Sequence, residues 1–299
     1  MSGEKKVLVY LANGVQGGAV VRQALKRGHH VRALVRDPEK SDGLWDIGAR
    51  LFAGDLEDRA SLDKAHQGID AVVLQMPSGA PSRIAALMDN AIAAIKAAGV
   101  RGIVVKMASA NPTTRTDEPG FAVNQIIEDK MRGSGLPFSI IRPTMYLDNL
   151  LRLETRAEIA GKGRLVLPIP PSQQIAWTSA DDAARASVAL LDNEAFGCDC
   201  LISGPEAVDG EGLACAFSQA LKRDIKFQSM ALDALERQVD SAMGAGIGKR
   251  VSAKLRFFEA HPDEAERMLS PPFQPCSALS GFVPTAIPAW AADHRSSFA

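Results

Sequence analysis

The chain has 299 residues, of which 46% are hydrophobic, enough to bury the core of one large domain or two small ones. Its 34 basic and 35 acidic residues give a formal net charge of -1 without a block of like charge, which argues against nucleic acid or an anionic membrane as a partner. No apolar run reaches the roughly 18 residues of a membrane span, and the start of the chain lacks the pattern of a signal peptide. We therefore expect a cytoplasmic protein whose four cysteines are reduced.

Short apolar runs alternate with helical patterns through the first half of the chain. Buried strands are predicted over residues 7–11, 31–35, 50–53, 71–74, 102–107 and 138–141, the last closed by Pro143. Helices are predicted over residues 17–27, 61–66, 84–98 and 123–132, with Ser61 and Ser82 as caps of the second and third. Continuous apolar strands between helices predict an α/β fold, a doubly wound parallel sheet of the Rossmann type.

The second half is less regular and more helical. We expect a helix over residues 146–160, an extended stretch over 165–171, a helix over 179–191 that Ser179 can cap, and a strand over 200–202. From Gly210 onward the pattern is mainly helical. The predicted division is a dinucleotide-binding domain of residues 1–145 with 177–205, and a smaller, mainly helical substrate lobe of residues 146–176 with 206–299.

The turn after the first strand has the arrangement that binds phosphate. Glycine lets the backbone approach a pyrophosphate, and the N-terminus of the following helix supplies free N–H groups and partial positive charge. We expect the cofactor to contact the turn at Ala12, Asn13, Gly14, Val15 and Gln16. A tight strand-to-helix turn without a ligand is the alternative.

Several further segments resemble one family. They are the glycine turn, Gly28 to Pro38, Gly54 to Asp58, Ser134 to Pro143, and Trp177 to Ala184. Together they make the chain similar to the NmrA-like group of atypical short-chain dehydrogenases, which includes quinone and triphenylmethane reductases and redox-sensing regulators. The resemblance covers nearly the whole chain. It implies that Asp55 and Leu56 lie beside the adenine, and that Met76 and Pro77 line the middle of the cofactor. A helix-capping role is the alternative for Asp55.

The chain departs from the family pattern within the turn itself. Leu11 stands where the family has its first glycine, and we expect its side chain to crowd the turn. Asn13 stands where the family often has threonine; it can hydrogen-bond the loop and tolerates left-handed backbone.

The end of the second strand predicts the choice of dinucleotide. An acid at this position binds the ribose hydroxyl of NAD, whereas an arginine pairs with the 2′-phosphate of NADP. Arg36 offers charge-assisted hydrogen bonds to a phosphate, and Lys40 can add a second charge. We therefore expect NADP(H) rather than NAD(H). The alternative is a surface arginine paired with Asp37 or Glu39.

The Tyr-x-x-x-Lys signature of ordinary short-chain dehydrogenases is absent, because neither Tyr10 nor Tyr146 has a lysine four residues later. Several NmrA-like reductases carry a lysine or histidine eleven residues before the glycine of Gly-x-Pro, and here that position is Asn124. We take Asn124 and Tyr146 as the catalytic candidates. Lys106, near the end of the fifth strand, is another candidate for proton transfer, and the favoured alternative is a structural lysine that reaches solvent.

Two functions fit the sequence. The first is an NADPH-dependent oxidoreductase that transfers hydride to a small quinone-like, carbonyl or conjugated acceptor. The second is a non-catalytic NAD(P)-binding redox sensor that acts through a protein partner. A fold that no longer binds dinucleotide is a third possibility, and a homodimer stays open. No metal-ligand cluster is apparent in the sequence.

Overall fold

The structure, a computed structural model, describes residues 3–116 and 118–299, apart from the side chains of residues 42, 119 and 243. Seven parallel strands form the main sheet in the order β3-β2-β1-β4-β5-β6-β8. In chain order the strands are Lys6–Val9 (β1), His30–Val35 (β2), Arg50–Ala53 (β3), Ala71–Leu74 (β4), Gly102–Lys106 (β5), Ser139–Pro143 (β6), Arg164–Leu167 (β7), Asp199–Ile202 (β8) and Lys226–Ser229 (β9). The predicted doubly wound parallel sheet is confirmed.

Helices cover both faces of this sheet. In chain order the helices are Val15–Lys26 (α1), Asp42–Asp46 (α2), Arg59–His66 (α3), Pro81–Ala98 (α4), Pro119–Gly133 (α5), Leu153–Lys162 (α6), Ala180–Asp192 (α7), Gly210–Leu221 (α8), Leu232–Met243 (α9), Ile247–Ala260 (α10), Pro262–Leu269 (α11) and Ile287–Asp293 (α12). One apolar core joins the sheet to α1 and α7, and a second joins its other face to α3, α4 and α5. Both cores are needed because parallel strands bury side chains on each face.

The strand order reverses between β1 and β4, where consecutive connections leave the sheet on opposite sides. Such a reversal opens a crevice at the carboxyl ends of the strands, and ligands of open α/β sheets bind there. The turn after β1, Arg36 after β2, Met76 after β4, Lys106 at the end of β5 and Tyr146 after β6 all lie along this edge.

Two expected helix caps and one expected continuous helix are wrong. Asp58 caps α3, since its side chain accepts a hydrogen bond from the Ala60 N–H at 3.0 Å, and Ser61 lies within the helix. Helix α4 begins at Pro81, whose fixed φ suits a first helical position, so Ser82 is also internal. The single helix expected over residues 146–160 is interrupted at Arg152, which is extended with ψ 145°; a 3₁₀ turn, Leu147–Leu151, precedes it and α6 follows.

The second half of the chain contributes a third apolar core. Strands β7 and β9 pair in parallel as a separate two-stranded sheet, and β9 is a strand that the sequence pattern did not indicate. The core packs around Trp177, Phe217 and Trp290, with helices α8 and α12 in contact. The division of the chain into a dinucleotide domain and a substrate lobe stays a prediction. Among the described helices, none has the length and apolar character to cross a lipid bilayer.

Candidate functional site

The turn after β1 is tight and is followed by an open helix N-terminus. The Gly14 N–H donates to the Leu11 carbonyl at 3.0 Å, and the Gly18 N–H donates to the Gly14 carbonyl at 2.7 Å. No side chain caps α1 at Gly14, and its first turn carries no acid. The first N–H groups of the helix therefore have no intrahelical acceptor and carry partial positive charge. Together they form a site that suits a phosphate.

Gly17 is required by the packing of this turn. A Cβ atom added there would lie 2.1 Å from the Leu11 carbonyl oxygen, far inside contact distance. A Cβ at Gly14 would instead meet that oxygen at 3.4 Å, so the outer side of the turn is open. The close approach of α1 to the turn depends on the missing side chain of Gly17.

Leu11 has a backbone conformation that favours glycine. Its φ is +50°, in the left-handed region, where a side chain costs about 1 kcal/mol or more. The side chain is half-buried and packs against the core on the α3–α5 face of the sheet. The substitution thus places strain in the backbone while adding apolar contact.

Arg36 lies beside this turn with an exposed side chain. It follows β2 directly, and the turn contacts the end of that strand through the Ala12 N–H and the Leu34 carbonyl, 3.4 Å apart. Arg36 is exposed, and within the described parts of the chain no carboxylate pairs with it. Asp37 pairs instead with Lys40, at 2.8 Å. The alternative, a guanidinium neutralised by Asp37 or Glu39, is not found among the described residues. Lys40, the second predicted phosphate contact, is already paired with Asp37.

The remaining predicted cofactor contacts lie along the same edge. Asp55 is exposed and its carboxylate accepts from the Glu57 N–H at 2.9 Å, an Asx turn rather than a helix cap. Leu56 is buried behind it. Met76 and Pro77 are half-buried immediately after β4. Their contacts with a cofactor stay predictions.

Asn124 belongs to a network that joins α5 to the C-terminal helices. It is buried, and its amide nitrogen donates to the carbonyl and hydroxyl oxygens of Ser109 at 3.2 and 3.1 Å. Lys254, on α10, donates to the same hydroxyl at 2.6 Å and lies over the Phe121 ring. Burial lowers the pKa of Lys254 to about 8. The Asn124 amide nitrogen is thus held by Ser109, and its role toward a substrate stays a prediction.

Replacing Asn124 with leucine is therefore expected to lower the free energy of unfolding by about 1–3 kcal/mol, because Ser109 would lose a buried donor. Urea-induced unfolding measures this. An unchanged stability together with a large loss of turnover would contradict the structural role and assign the amide to substrate instead.

A second network places Tyr146 in contact with Lys106. The Lys106 ammonium donates to the Tyr146 hydroxyl at 2.8 Å and to the Gln16 side-chain oxygen, which comes from the first turn of α1. Lys106 is 3% exposed and Tyr146 is 5% exposed. The expectation that Lys106 reaches solvent is wrong: a long side chain at the end of a buried strand has turned inward. Within the described residues, Asn124 and Tyr146 share no hydrogen bond.

Burial controls the ionisation of this pair. It lowers the pKa of Lys106 to about 7, against a smaller opposing effect of Asp148. It raises the pKa of Tyr146 well above its ordinary value, and the Asp148 charge acts in the same direction. The tyrosine is therefore neutral near pH 7, whereas the lysine is close to its midpoint. Sequence spacing could not reveal the pair, because Lys106 ends β5 whereas Tyr146 follows β6.

Several known proteins similar to the chain are named as reductases. A (4-alkanoyl-5-oxo-2,5-dihydrofuran-3-yl)methyl phosphate reductase of Streptomyces griseus is 28% identical over 98% of this chain and 99% of its own. An NAD(P)H azoreductase of Xenophilus azovorans is 28% identical over 80% of this chain and 81% of its own. The crystal structure of a Citrobacter triphenylmethane reductase with NADP(H) covers 97% of this chain and 99% of its own, with a TM-score of 0.76 and 19% identity.

The similarity to the Citrobacter structure shows a shared fold, and it agrees with the parallel sheet of this chain. The profile of the NmrA-like family, which the sequence resembles, matches residues 3–272, and this range is nearly the full length of the chain. With its glycine turn, its seven-stranded parallel sheet and this match, the chain belongs to the NmrA-like family.

Proposed function

We propose that the protein is an NADPH-dependent oxidoreductase that reduces a small quinone-like, carbonyl or conjugated acceptor. The observation that carries the proposal is the unpaired, exposed Arg36 beside the open N-terminus of α1. A ligand with two separate anionic groups would suit these two positions, one group at the helix N-terminus and the other at Arg36. A dinucleotide with a 2′-phosphate has two such groups, its pyrophosphate and the 2′-phosphate. The names of the two reductase relatives support the same reaction class.

The residues present fit such a cofactor. The N–H groups of Val15 and Gln16 would hold the pyrophosphate, with Ala12, Asn13 and Gly14 shaping the turn, and Arg36 would hold the 2′-phosphate. Lys40 would contribute only after leaving Asp37, a small cost for an exposed pair. A bound reduced nicotinamide supplies the two electrons and the hydride, and the protein orients it and its acceptor.

Turnover tests this function. We expect the purified protein to oxidise NADPH, followed by its absorbance, with at least one member of a panel of quinones, aldehydes and enones. Gly14→Trp should remove the activity, because an indole on the open side of the turn would occupy the phosphate position. Tight binding of NADPH without turnover across the panel would favour the sensor instead.

Arg36→Ala is expected to weaken NADPH binding by about 10- to 100-fold, since hydrogen bonds to charged groups contribute roughly 1.5–3 kcal/mol. NADH, which lacks the 2′-phosphate, should bind the variant and the wild type alike. Isothermal titration calorimetry with both cofactors measures the change. Equal affinities for the two cofactors, unaltered in the variant, would contradict the assigned preference.

A further inference from the structure

Lys106 and Tyr146 form a buried pair at the carboxyl edge of the sheet. Lys106 ends β5, and Tyr146 follows β6, where its backbone bridges to Thr178. The Lys106 nitrogen lies 2.8 Å from the Tyr146 hydroxyl oxygen. We propose that Lys106 is the proton source for the reduction and that Tyr146 relays the proton to the acceptor, so that the site favours acceptors that must be protonated as they are reduced. This inference rests on the proposed function.

Among the residues that the structure describes, no carboxylate forms an ion pair with Lys106. Its hydrogen-bonding neighbours are Gln16 from α1 and Tyr146 after β6, both uncharged. Asp148, in the 3₁₀ turn that follows, is the charged group that acts on both members, but its carboxylate accepts from the Ala180 N–H at 2.7 Å. An ammonium that no carboxylate neutralises gives up its proton more readily than an ion-paired one.

Tyr146 alone would be a weak acid in this position. Burial disfavours its phenolate, so a proton leaves Tyr146 only if another arrives. Lys106 can supply that proton along the existing hydrogen bond. Its pKa of about 7 is also the range in which a general acid works best at neutral pH.

Gln16 links this pair to the turn of the predicted cofactor site. Its side-chain oxygen accepts from the Lys106 ammonium, and its backbone lies in the first turn of α1. The contact holds the lysine nitrogen against a side chain from the first turn of α1. Gln16 is therefore a positioning residue for Lys106.

The proton balance then follows. When hydride adds to the carbon of a carbonyl acceptor, the C=O π electrons move to oxygen, and that oxygen takes the Tyr146 proton. Tyr146 takes a proton from the Lys106 ammonium, which becomes a neutral amine and is reprotonated by water. The acceptor gains two electrons, and the dinucleotide loses them. An aldehyde leaves a strongly basic oxygen that needs this proton, whereas a quinone leaves a weakly basic one that solvent can protonate.

The pair can be tested without turnover by labelling the protein with carbon-13 at the lysine ε-carbons and following their NMR shifts with pH. We expect one resonance with a midpoint near 7, absent in Lys106→Met. Lys254→Met identifies the other depressed lysine, and Lys96→Met, an exposed lysine on α4, is the matched control. A Lys106 resonance that titrates with the surface lysines would overturn the proposal.

Kinetics with two acceptor classes complete the test. In Lys106→Met and in Tyr146→Phe we expect kcat for a small aldehyde to fall about 100-fold or more, while benzoquinone reduction changes less than about 3-fold. The wild-type aldehyde rate should decline as pH rises through about 7, and this decline should vanish in Lys106→Met. Equal losses for both acceptors, or no loss for the aldehyde, would overturn the proposal. Failure of the proposed function itself would differ: the wild type would then oxidise NADPH with neither acceptor, whether or not it binds the cofactor.

Discussion

Gly17→Ala is expected to abolish measurable NADPH binding and to lower the free energy of unfolding by about 3 kcal/mol. The added Cβ would lie 2.1 Å from the Leu11 carbonyl oxygen, so α1 and the turn must move apart. Overpacking of this kind costs roughly 1–3 kcal/mol, and here the obstacle is backbone, which cannot rotate away. Calorimetric titration with NADPH and urea-induced unfolding measure the two effects.

Gly18→Ala is the matched control for this change. A Cβ at Gly18 would meet the Arg22 guanidinium at 3.4 Å and the Ala12 carbonyl oxygen at 3.5 Å, and a long side chain can give way. Both variants lie in the first turns of the same helix, where alanine is also the better helix former. We expect Gly18→Ala to retain stability and NADPH affinity. If Gly17→Ala behaved like Gly18→Ala, the close approach would not be what forms the site.

Lys106→Met is expected to stabilise the protein by about 2 kcal/mol at pH 7. The pKa of Lys106 falls from 10.5 to about 7 on folding, a penalty of about 5 kcal/mol when the lysine is fully protonated and of about 4 kcal/mol at pH 7, at roughly 1.4 kcal/mol for each pH unit. Methionine removes this penalty and fills the buried volume. This gain is partly offset because the variant loses the hydrogen bonds to Gln16 and Tyr146, which contribute about 1–3 kcal/mol to stability.

The effect of Lys106→Met should reverse with pH. A lysine whose pKa is lowered on folding destabilises the protein fully below the folded value, near 7, and the penalty disappears as pH rises to 10.5. Near pH 10 most of the penalty is gone, so the lost hydrogen bonds dominate and the variant should be the less stable protein. Urea-induced unfolding at pH 7 and pH 10 measures both signs, with Lys96→Met as the control. A difference from wild type that stays constant with pH would show that Lys106 is not a buried, depressed lysine.

The fold could be predicted because its strands are short apolar runs and its helices repeat every three to four residues. Strands β3 and β4 have the expected bounds, and Ser179 caps α7 as expected, its hydroxyl accepting from the Asp182 N–H at 3.0 Å. Strand β9 could not be predicted, because Phe227 is the one residue of its four that has a large apolar side chain. Its pairing with β7 depends on tertiary contact rather than on local pattern.

The site could be predicted where its residues follow one strand, and not where they meet across the fold. Gly17 and Arg36 stand at fixed positions after β1 and β2, so spacing identifies them. The Lys106–Tyr146 contact joins residues 40 apart, and the Lys254–Ser109 contact joins residues 145 apart. The side chain of Lys106 is also buried, whereas lysine side chains are usually exposed, so its position could not be predicted from residue type.

A crystal structure of the protein grown with saturating NADP⁺ tests the central claim most directly. We expect the pyrophosphate within hydrogen-bond distance of the Val15 or Gln16 N–H, and the 2′-phosphate against the Arg36 guanidinium. A turn that stays empty at saturating NADP⁺, or a dinucleotide whose 2′-phosphate lies away from Arg36, would contradict the assignment.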